Sequence, residues 1–143
     1  MRNLRSRTPL QEIMRAENKP KLLVVDDEEI ALANLVHVLQ KEGYEVVGVQ
    51  SGPDALARLE QEEFCVVVTD LRMPKVDGVE ILERCRELHP HTQVIMITGY
   101  ATIDSAEEAM KKGAYHFIAK PFKLDEVRKA VAEAVNEYKL RKK

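Results

Sequence analysis

Residues 65–74 read CVVVTDLRMP, an apolar run followed by one acid and a loop that ends in proline. An apolar run of this length, bounded by turn residues, is typical of a strand buried on both faces. Asp70 then stands where the strand leaves the core, and a carboxylate there costs free energy unless a partner or ligand compensates its charge. Because ligands of open parallel sheets bind at the carboxyl ends of the strands, Asp70 is a candidate functional residue.

The same pattern recurs on both sides of this stretch. In addition to the strand that ends at Asp70, four more apolar runs predict strands at 22–25, 44–49, 94–98 and 115–119. Each predicted strand is followed by apolar residues at helical spacing. Strict alternation of strands and helices predicts an α/β fold with a parallel sheet and helices on both faces. For five strands joined by right-handed crossovers, we expect the flavodoxin-like, doubly wound order 2-1-3-4-5.

The chain divides into a short extension, residues 1–20, and one domain, residues 21–143. Thr8 followed by Pro9 resembles a helix start, so the extension is predicted to be a short helix or disordered. We favour a frayed leader, with a docking helix or the tail of a preceding domain as alternatives.

Charge and composition exclude several classes of function. Residues 1–21 contain six basic and two acidic residues and so carry a charge of +4. Because the net charge of the whole chain is −2, the remaining residues carry −6. This negative charge argues against nucleic-acid binding by the domain. The sequence has no run of eighteen apolar residues and no apolar stretch behind its N-terminal arginines, so we expect neither a membrane span nor a secretory signal. Cys65 and Cys85 lack CxxC spacing, and we expect both to be reduced core or near-core residues of a cytoplasmic protein.

Polar residues end four of the five predicted strands. Asp26 and Asp27 follow the first, Asp70 the third, Thr98 the fourth and Lys120 the fifth. In the order 2-1-3-4-5 the first and third strands are neighbours, so the three carboxylates should crowd together and need cationic compensation. Lys120 supplies one positive charge, and a divalent cation would supply two more. Because the site offers only oxygen ligands, the cation that fits it is Mg²⁺. The four histidines are scattered along the chain, so we do not expect a zinc site.

Four segments at these strand ends resemble the receiver domains of two-component response regulators. They are VDDE at 25–28, DLRMP at 70–74 with Asp77-Gly78 behind it, ITGY at 97–100 and FIAKPF at 117–122. The resemblance extends from about Lys21 to Tyr138. TGYAT at 98–102 and AMKKGAY at 109–115 are also similar to receivers of NtrC-type enhancer-binding transcription activators.

The resemblance implies that Asp70 is a phosphoacceptor, which takes a phosphoryl group from the phosphohistidine of a sensor histidine kinase or phosphotransfer protein. It further implies that Mg²⁺ is bound by Asp27, by Asp26 directly or through water, by Asp70 and by the backbone carbonyl of Arg72. No other cofactor is implied. Lys120 would pair with a phosphoryl oxygen, and its peptide bond to Pro121 would be cis.

The resemblance also predicts the output. Thr98 would hydrogen-bond the phosphoryl group, Phe117 would swing inward, and the surface of the fourth helix, fifth strand and last helix would change to control an output such as transcription. The same surface is the expected homodimer contact. Phe117 stands where many members have tyrosine, and its alternative role is an ordinary core residue. An apolar stripe of Ile103, Ala106 and Met110 is thin, which predicts a loosely held fourth helix.

Other functions remain to be separated from this one. A single-domain phosphorelay or scaffold receiver without its own effector has the same motifs. A phosphatase of the haloacid dehalogenase type also uses an Asp, a Thr or Ser and a Lys around Mg²⁺, but it needs a second acid two residues after the nucleophile, where this chain has Arg72. We therefore expect no enzyme beyond self-phosphorylation and slow autodephosphorylation, the latter because Arg72 and Tyr100 flank the route of the attacking water.

Overall fold

The computed structural model describes residues 19–143, so the predicted helix start at Thr8 and Pro9 lies outside the described residues. Five strands alternate with five helices, as the sequence predicts. The strands are β1 (Lys21–Val25), β2 (Glu45–Val49), β3 (Val66–Thr69), β4 (Gln93–Thr98) and β5 (His116–Ala119). The helices are α1 (Glu29–Lys41), α2 (Gly52–Gln61), α3 (Gly78–Leu88), α4 (Ile103–Lys111) and α5 (Leu124–Lys142). Within residues 19–143, no helix is long and apolar enough to cross a lipid bilayer.

The strands form one parallel sheet in the order β2-β1-β3-β4-β5, which confirms the predicted topology. The register pairs Val25 with Thr69, and the backbone N–H of Asp70 donates to the carbonyl of Val25 at 3.0 Å. Asp26 and Asp70 are therefore the first residues beyond two neighbouring strands, at the same level of the sheet. β3 ends at Thr69, so Asp70 is the first residue of the loop rather than the last of the strand.

Alternate strand residues build two apolar layers. On β1, Leu22 and Val24 pack with α1 and α5, whereas Leu23 and Val25 pack with α2, α3 and α4. Complete burial of each such side chain stabilises the fold by about 1.5–3 kcal/mol. The central strands β1 and β3 thus pack against helices on both faces of the sheet. This packing fixes the ends of the two strands, where the loops with Asp26 and Asp70 begin.

Two glycines allow the loop after β3 to pack closely. A Cβ on Gly78 would collide with the carbonyl oxygen of Asp70, and a Cβ on Gly52 would collide with the carbonyl oxygen of Val76. The N–H of Gly78 also donates to the carbonyl of Leu71 at 2.8 Å. Glycine at these positions lets the starts of α2 and α3 approach the loop backbone, so the loop that carries Asp70 is fixed at both ends.

The prediction that Ile103, Ala106 and Met110 form the apolar stripe of α4 is wrong. Ile103 is 80% exposed and Met110 is 47% exposed, Ala106 is half-buried, and Ala109 is the buried residue of this helix. Hydrophobicity ranks Ile and Met above Ala, but the residues on the inward face of α4 are the two alanines with short side chains, Ala106 and Ala109. The expectation that α4 is held by few apolar contacts is consistent with this face.

The two cysteines occupy the expected environments. Cys85 is buried and Cys65 is half-buried, and both are free thiols. Burial raises the pKa of Cys85 to about 12, so its thiol stays protonated and unreactive at neutral pH.

Candidate functional site

Three carboxylates converge at the carboxyl edge of the sheet. Asp26 and Asp27 follow β1 and Asp70 follows β3, and one carboxylate oxygen from each lies within 4.8 Å of the other two. Asp26 and Asp70 are buried, with 2% and 8% of their surface exposed, whereas Asp27 is exposed. We call these three residues the acidic cluster. The structure thus brings together the three carboxylates that the sequence predicts at this edge.

Backbone amides fix one oxygen of each buried carboxylate. The N–H of Glu28 donates to Oδ1 of Asp26 at 2.9 Å, and the N–H of Arg72 donates to Oδ1 of Asp70 at 3.3 Å. In each case the donor N–H lies two residues after the aspartate. The turn that follows the strand therefore orients the aspartate at its start. The second oxygen of each carboxylate accepts a hydrogen bond from Lys120.

Lys120 provides the cation that the cluster needs. Its Nζ lies 3.2 Å from Oδ2 of Asp26 and 3.2 Å from Oδ2 of Asp70. Burial alone would lower the pKa of Lys120, but the charges of Asp70 and Asp26 outweigh burial and raise it. The Lys120 ammonium therefore contacts two of the three acids of the cluster, and a divalent cation would supply further positive charge at the same place.

The backbone of β4 and β5 positions Lys120. Its N–H donates to the carbonyl of Thr98 at 2.8 Å, and its peptide bond to Pro121 is cis, as the resemblance implies. Thr98 itself is fully buried at the end of β4, and its Oγ1 accepts a hydrogen bond from the N–H of Tyr100 at 3.0 Å. A hydroxyl that accepts can still donate its own proton, so Thr98 retains a donor for a group bound at this edge.

Phe117 lies on β5, beside Met96 of β4. It is half-buried and packs against the layer formed with α2, α3 and α4. The ring is therefore neither fully inside nor free in solvent in this structure.

The structure adds a contact that sequence reasoning missed. Cζ of Arg72, in the loop after β3, lies 5.4 Å from the centre of the Tyr100 ring, in the loop after β4. The two residues line a surface depression of about 400 Å³ together with Met73, Pro74 and Asp77. Their spacing in the sequence carries no signal for this contact. The strand order shows that both loops leave the same edge, but not where their side chains point.

The donor set of the cluster suits a hard divalent cation. Carboxylate oxygens are the protein ligands of Mg²⁺, which keeps several waters and binds through one or two carboxylates plus phosphate oxygens. Asp26 and Asp70 are held by backbone amides before any ion binds, and exposed Asp27 faces the solvent from which an ion would arrive. The residues present therefore fit a metal of this class.

Comparison with known proteins gives consistent matches. The family model described as "Response regulator receiver domain" matches residues 22–132. Sporulation initiation phosphotransferase F of Bacillus subtilis is 37% identical over 111 residues, which are 78% of this chain and 90% of that protein. The alginate biosynthesis transcriptional regulatory protein AlgB of Pseudomonas aeruginosa is 33% identical over 82% of this chain, which spans only 26% of AlgB.

A similar solved structure is described as the solution structure of the beryllofluoride-activated NtrC4 receiver domain dimer. It is 37% identical, has a TM-score of 0.78, and the match covers 82% of this chain and 98% of that one.

Proposed function

The chain belongs to the response regulator receiver domain family, and on that basis we propose that Asp70 is its phosphoacceptor. The phosphoryl donor is a phosphohistidine of a sensor histidine kinase or phosphotransfer protein, and the reaction depends on Mg²⁺. The observation that carries this proposal is the environment of Asp70: a buried carboxylate with one oxygen 3.2 Å from the Lys120 ammonium and two further acids beside it. The domain is assigned to residues 21–143 and the extension to residues 1–20.

The chemistry is nucleophilic attack by a carboxylate. An oxygen of Asp70 forms a bond to phosphorus, the bond between phosphorus and the donor imidazole nitrogen breaks, and its electron pair stays on the imidazole. Lys120, already 3.2 Å from Asp70, neutralises charge on one phosphoryl oxygen, and the hydroxyl of Thr98 donates a hydrogen bond to another phosphoryl oxygen. When bound by Asp26, Asp27, Asp70 and the Arg72 carbonyl, Mg²⁺ supplies charge neutralisation and alignment.

The new dianion biases a conformational equilibrium of the domain. Thr98 moves toward the phosphoryl group, Phe117 moves inward, and the surface of α4, β5 and α5 changes to control an output such as transcription. Two features support this: Thr98 lies at the very end of β4, and α4 beyond it buries only Ala109 among its apolar residues. The same surface is proposed as a homodimer contact, since the similar NtrC4 receiver is described as a dimer.

The alternative of a haloacid-dehalogenase-type phosphatase lacks support at Arg72. That class needs an acid at this position, whereas here a guanidinium lies over the Tyr100 ring. The activity we propose is limited to self-phosphorylation and slow autodephosphorylation. Because Arg72 and Tyr100 would flank the route of an attacking water, we expect phosphorylated Asp70 to lose its phosphoryl group slowly. A half-life of seconds, measured by loss of the phosphoryl mass, would contradict this.

The decisive experiment is intact-protein mass spectrometry after incubation with acetyl phosphate and Mg²⁺. We expect one added phosphoryl group on the native chain, one on the control Asp104→Asn, whose exposed side chain is on α4, and none on Asp70→Asn. A phosphoryl group on Asp70→Asn would move the acceptor elsewhere. No adduct on any variant, with Mg²⁺ binding and no phosphate release, would favour the scaffold receiver.

A further inference from the structure

The contact between Arg72 and Tyr100 joins two loops that each depend on the phosphorylation site. The N–H of Arg72 donates to Oδ1 of Asp70 at 3.3 Å, and the N–H of Tyr100 donates to Oγ1 of Thr98 at 3.0 Å. Each partner is therefore one hydrogen bond away from a side chain that the proposed reaction changes. A shift of Asp70 or Thr98 would therefore act on the two loops, and with them on the distance between guanidinium and ring.

The contact itself is weak. Arg72 is exposed and Tyr100 is 63% exposed, so water competes for both the cation and the ring. A cation–π contact at an exposed site shifts an equilibrium by about two- to fivefold. Within residues 19–143, Arg72 forms no ion pair with a carboxylate, and its guanidinium lies over the Tyr100 ring instead.

A phosphoryl group on Asp70 would be the stronger partner for this guanidinium. It brings a charge of about −1.5 to −2 to a site where the ammonium of half-buried Lys120 is already shared by two carboxylates. Arginine presents a planar fork of donors that matches phosphate oxygens in pairs, and charge-assisted hydrogen bonds of this kind exceed an exposed cation–π contact.

We propose that Arg72 is a phosphoryl-binding residue whose guanidinium rests on the Tyr100 ring in the unphosphorylated domain and moves to the phosphoryl oxygens when Asp70 is modified. This inference rests on the proposed function and extends it to a residue that the acidic cluster does not include. Loss of the contact frees the loop between β4 and α4. Tyr100 is two residues before Thr102, whose side chain caps α4 by accepting from the N–H of Ser105 at 2.9 Å, so release of the ring is passed directly to the start of α4.

This arrangement gives the domain a second aromatic residue that responds to phosphorylation. Phe117 has no hydroxyl and cannot form a hydrogen bond after moving inward. Tyr100 responds in a different way, because it loses the cation–π contact of its ring with Arg72. It also lies on the loop that leads into α4 rather than on β5.

The test is solution NMR of the labelled chain, with beryllofluoride and Mg²⁺ as the phosphoryl stand-in. Ring currents from Tyr100 should shift the Arg72 side-chain protons upfield in the free protein. Tyr100→Phe keeps the ring and should keep this shift, whereas Tyr100→Leu should abolish it. Added beryllofluoride should remove the shift in the native chain and in Tyr100→Phe, and should move the Arg72 Nε–H signal to the same position in all three proteins.

A functional measurement accompanies the spectra. If the ring competes with the phosphoryl group for Arg72, Tyr100→Leu should bind beryllofluoride about two- to fivefold more tightly than Tyr100→Phe, in line with the strength of the lost contact. Arg72→Gln should bind it more weakly than the native chain.

Two failures are distinguishable. If the backbone amides of Asp70 and Thr98 do not respond to beryllofluoride, the proposed function fails and the inference falls with it. If those amides respond but the Arg72 signals stay at their ring-shifted positions, the phosphoryl site stands and the role of Arg72 is overturned.

Discussion

Lys120 is the residue on which the balance of charge in the acidic cluster depends. Its ammonium is shared equally by Asp26 and Asp70, with a distance of 3.2 Å to each. Buried charges stabilise a fold only when their partners offset the cost of removing them from water, and here one cation contacts two buried carboxyl groups with a third acid nearby. A bound divalent cation would add positive charge where Lys120 alone serves three acids.

We predict that Lys120→Met destabilises the domain and makes its stability more dependent on Mg²⁺. Methionine preserves most of the apolar stem, so the main loss is the charge that compensates Asp26 and Asp70. Because the site is partly open to solvent, we expect a loss of about 2 kcal/mol in the free energy of unfolding, below the range for a fully buried pair. Urea unfolding with and without Mg²⁺ measures both effects.

The matched control for this prediction is Lys129→Met, since Lys129 is exposed on α5. It should change the free energy of unfolding by less than about 0.5 kcal/mol. Mg²⁺ should stabilise Lys120→Met more than the native chain, because the metal replaces the missing charge. An equal gain from Mg²⁺ in both proteins would mean that Lys120 does not compensate the site the metal occupies.

The individual site residues differ in how far sequence could predict them. Asp26, Asp70 and Lys120 each come directly after a strand, and the parallel order of the sheet brings those positions to one edge. The contact between Arg72 and Tyr100 could not be predicted in this way. Both side chains leave exposed loops whose direction is set by local backbone bonds to Asp70 and Thr98, and no periodicity encodes that direction.

Helix α4 differs from the other helices in what holds it. Ala109 is its buried residue, whereas α5 buries Val127, Ala130, Val131, Ala134 and Val135. Its N-terminus is capped, since Thr102 and Ser105 form a reciprocal capping box there. α4 is thus stable as a helix but weakly attached to the sheet, which is the property a movable element needs.

We predict that Ile103→Ala changes the free energy of unfolding by less than about 0.5 kcal/mol, because the side chain is 80% exposed. The same substitution at Ile81, fully buried on α3, should cost about 2–5 kcal/mol. Native-state hydrogen exchange should also give the amides of α4 a lower opening free energy than those of α5. Equal protection of the two helices, or a large cost at Ile103, would show that α4 is packed as firmly as the rest.

This helix also marks the limit of periodicity as a predictor. The spacing of Ile103, Ala106 and Met110 is correct for one helix face, and the helix forms where the sequence predicts it. Which face turns inward depends on the shape of the neighbouring elements, and here the buried position of the helix is a short side chain, Ala109. Helix existence is therefore a local property of the sequence, whereas the orientation of a short helix is set by the packing around it.

The domain as a unit is tied together at the edge opposite the acidic cluster. Glu63, between α2 and β3, accepts a hydrogen bond from the hydroxyl of Tyr138 at 2.7 Å and pairs with Lys142 at 3.3 Å, both on α5. Nδ1 of His89, just after α3, lies 3.6 Å from the same carboxylate. These contacts fix the C-terminal half of α5 to the sheet. Motion of this helix is therefore expected at its other end, beside Lys120.

We predict that Glu63 contributes stability to the domain in a pH-dependent way. Burial alone would raise the pKa of Glu63, but the hydrogen bond from Tyr138 and the charge of Lys142 outweigh it and lower the pKa. A carboxyl group whose pKa is lower in the folded state stabilises the fold above its unfolded pKa of about 4.3, and this stabilisation is lost as pH falls through the folded pKa. Glu63→Gln should therefore cost about 1–2 kcal/mol at pH 7, and the difference from the native chain should shrink toward zero near pH 3.

Urea unfolding at pH 7 and pH 3 measures this difference directly, with Glu133→Gln, an exposed position on α5, as the matched control. The control should follow the native chain at both pH values. A loss in Glu63→Gln that is the same at both pH values would mean that the shape of the side chain, rather than its charge, holds α5 in place. A loss confined to pH 7 would instead mean that the ionised carboxylate links the end of α5 to the sheet, and the helix would then be free at that end only in acid.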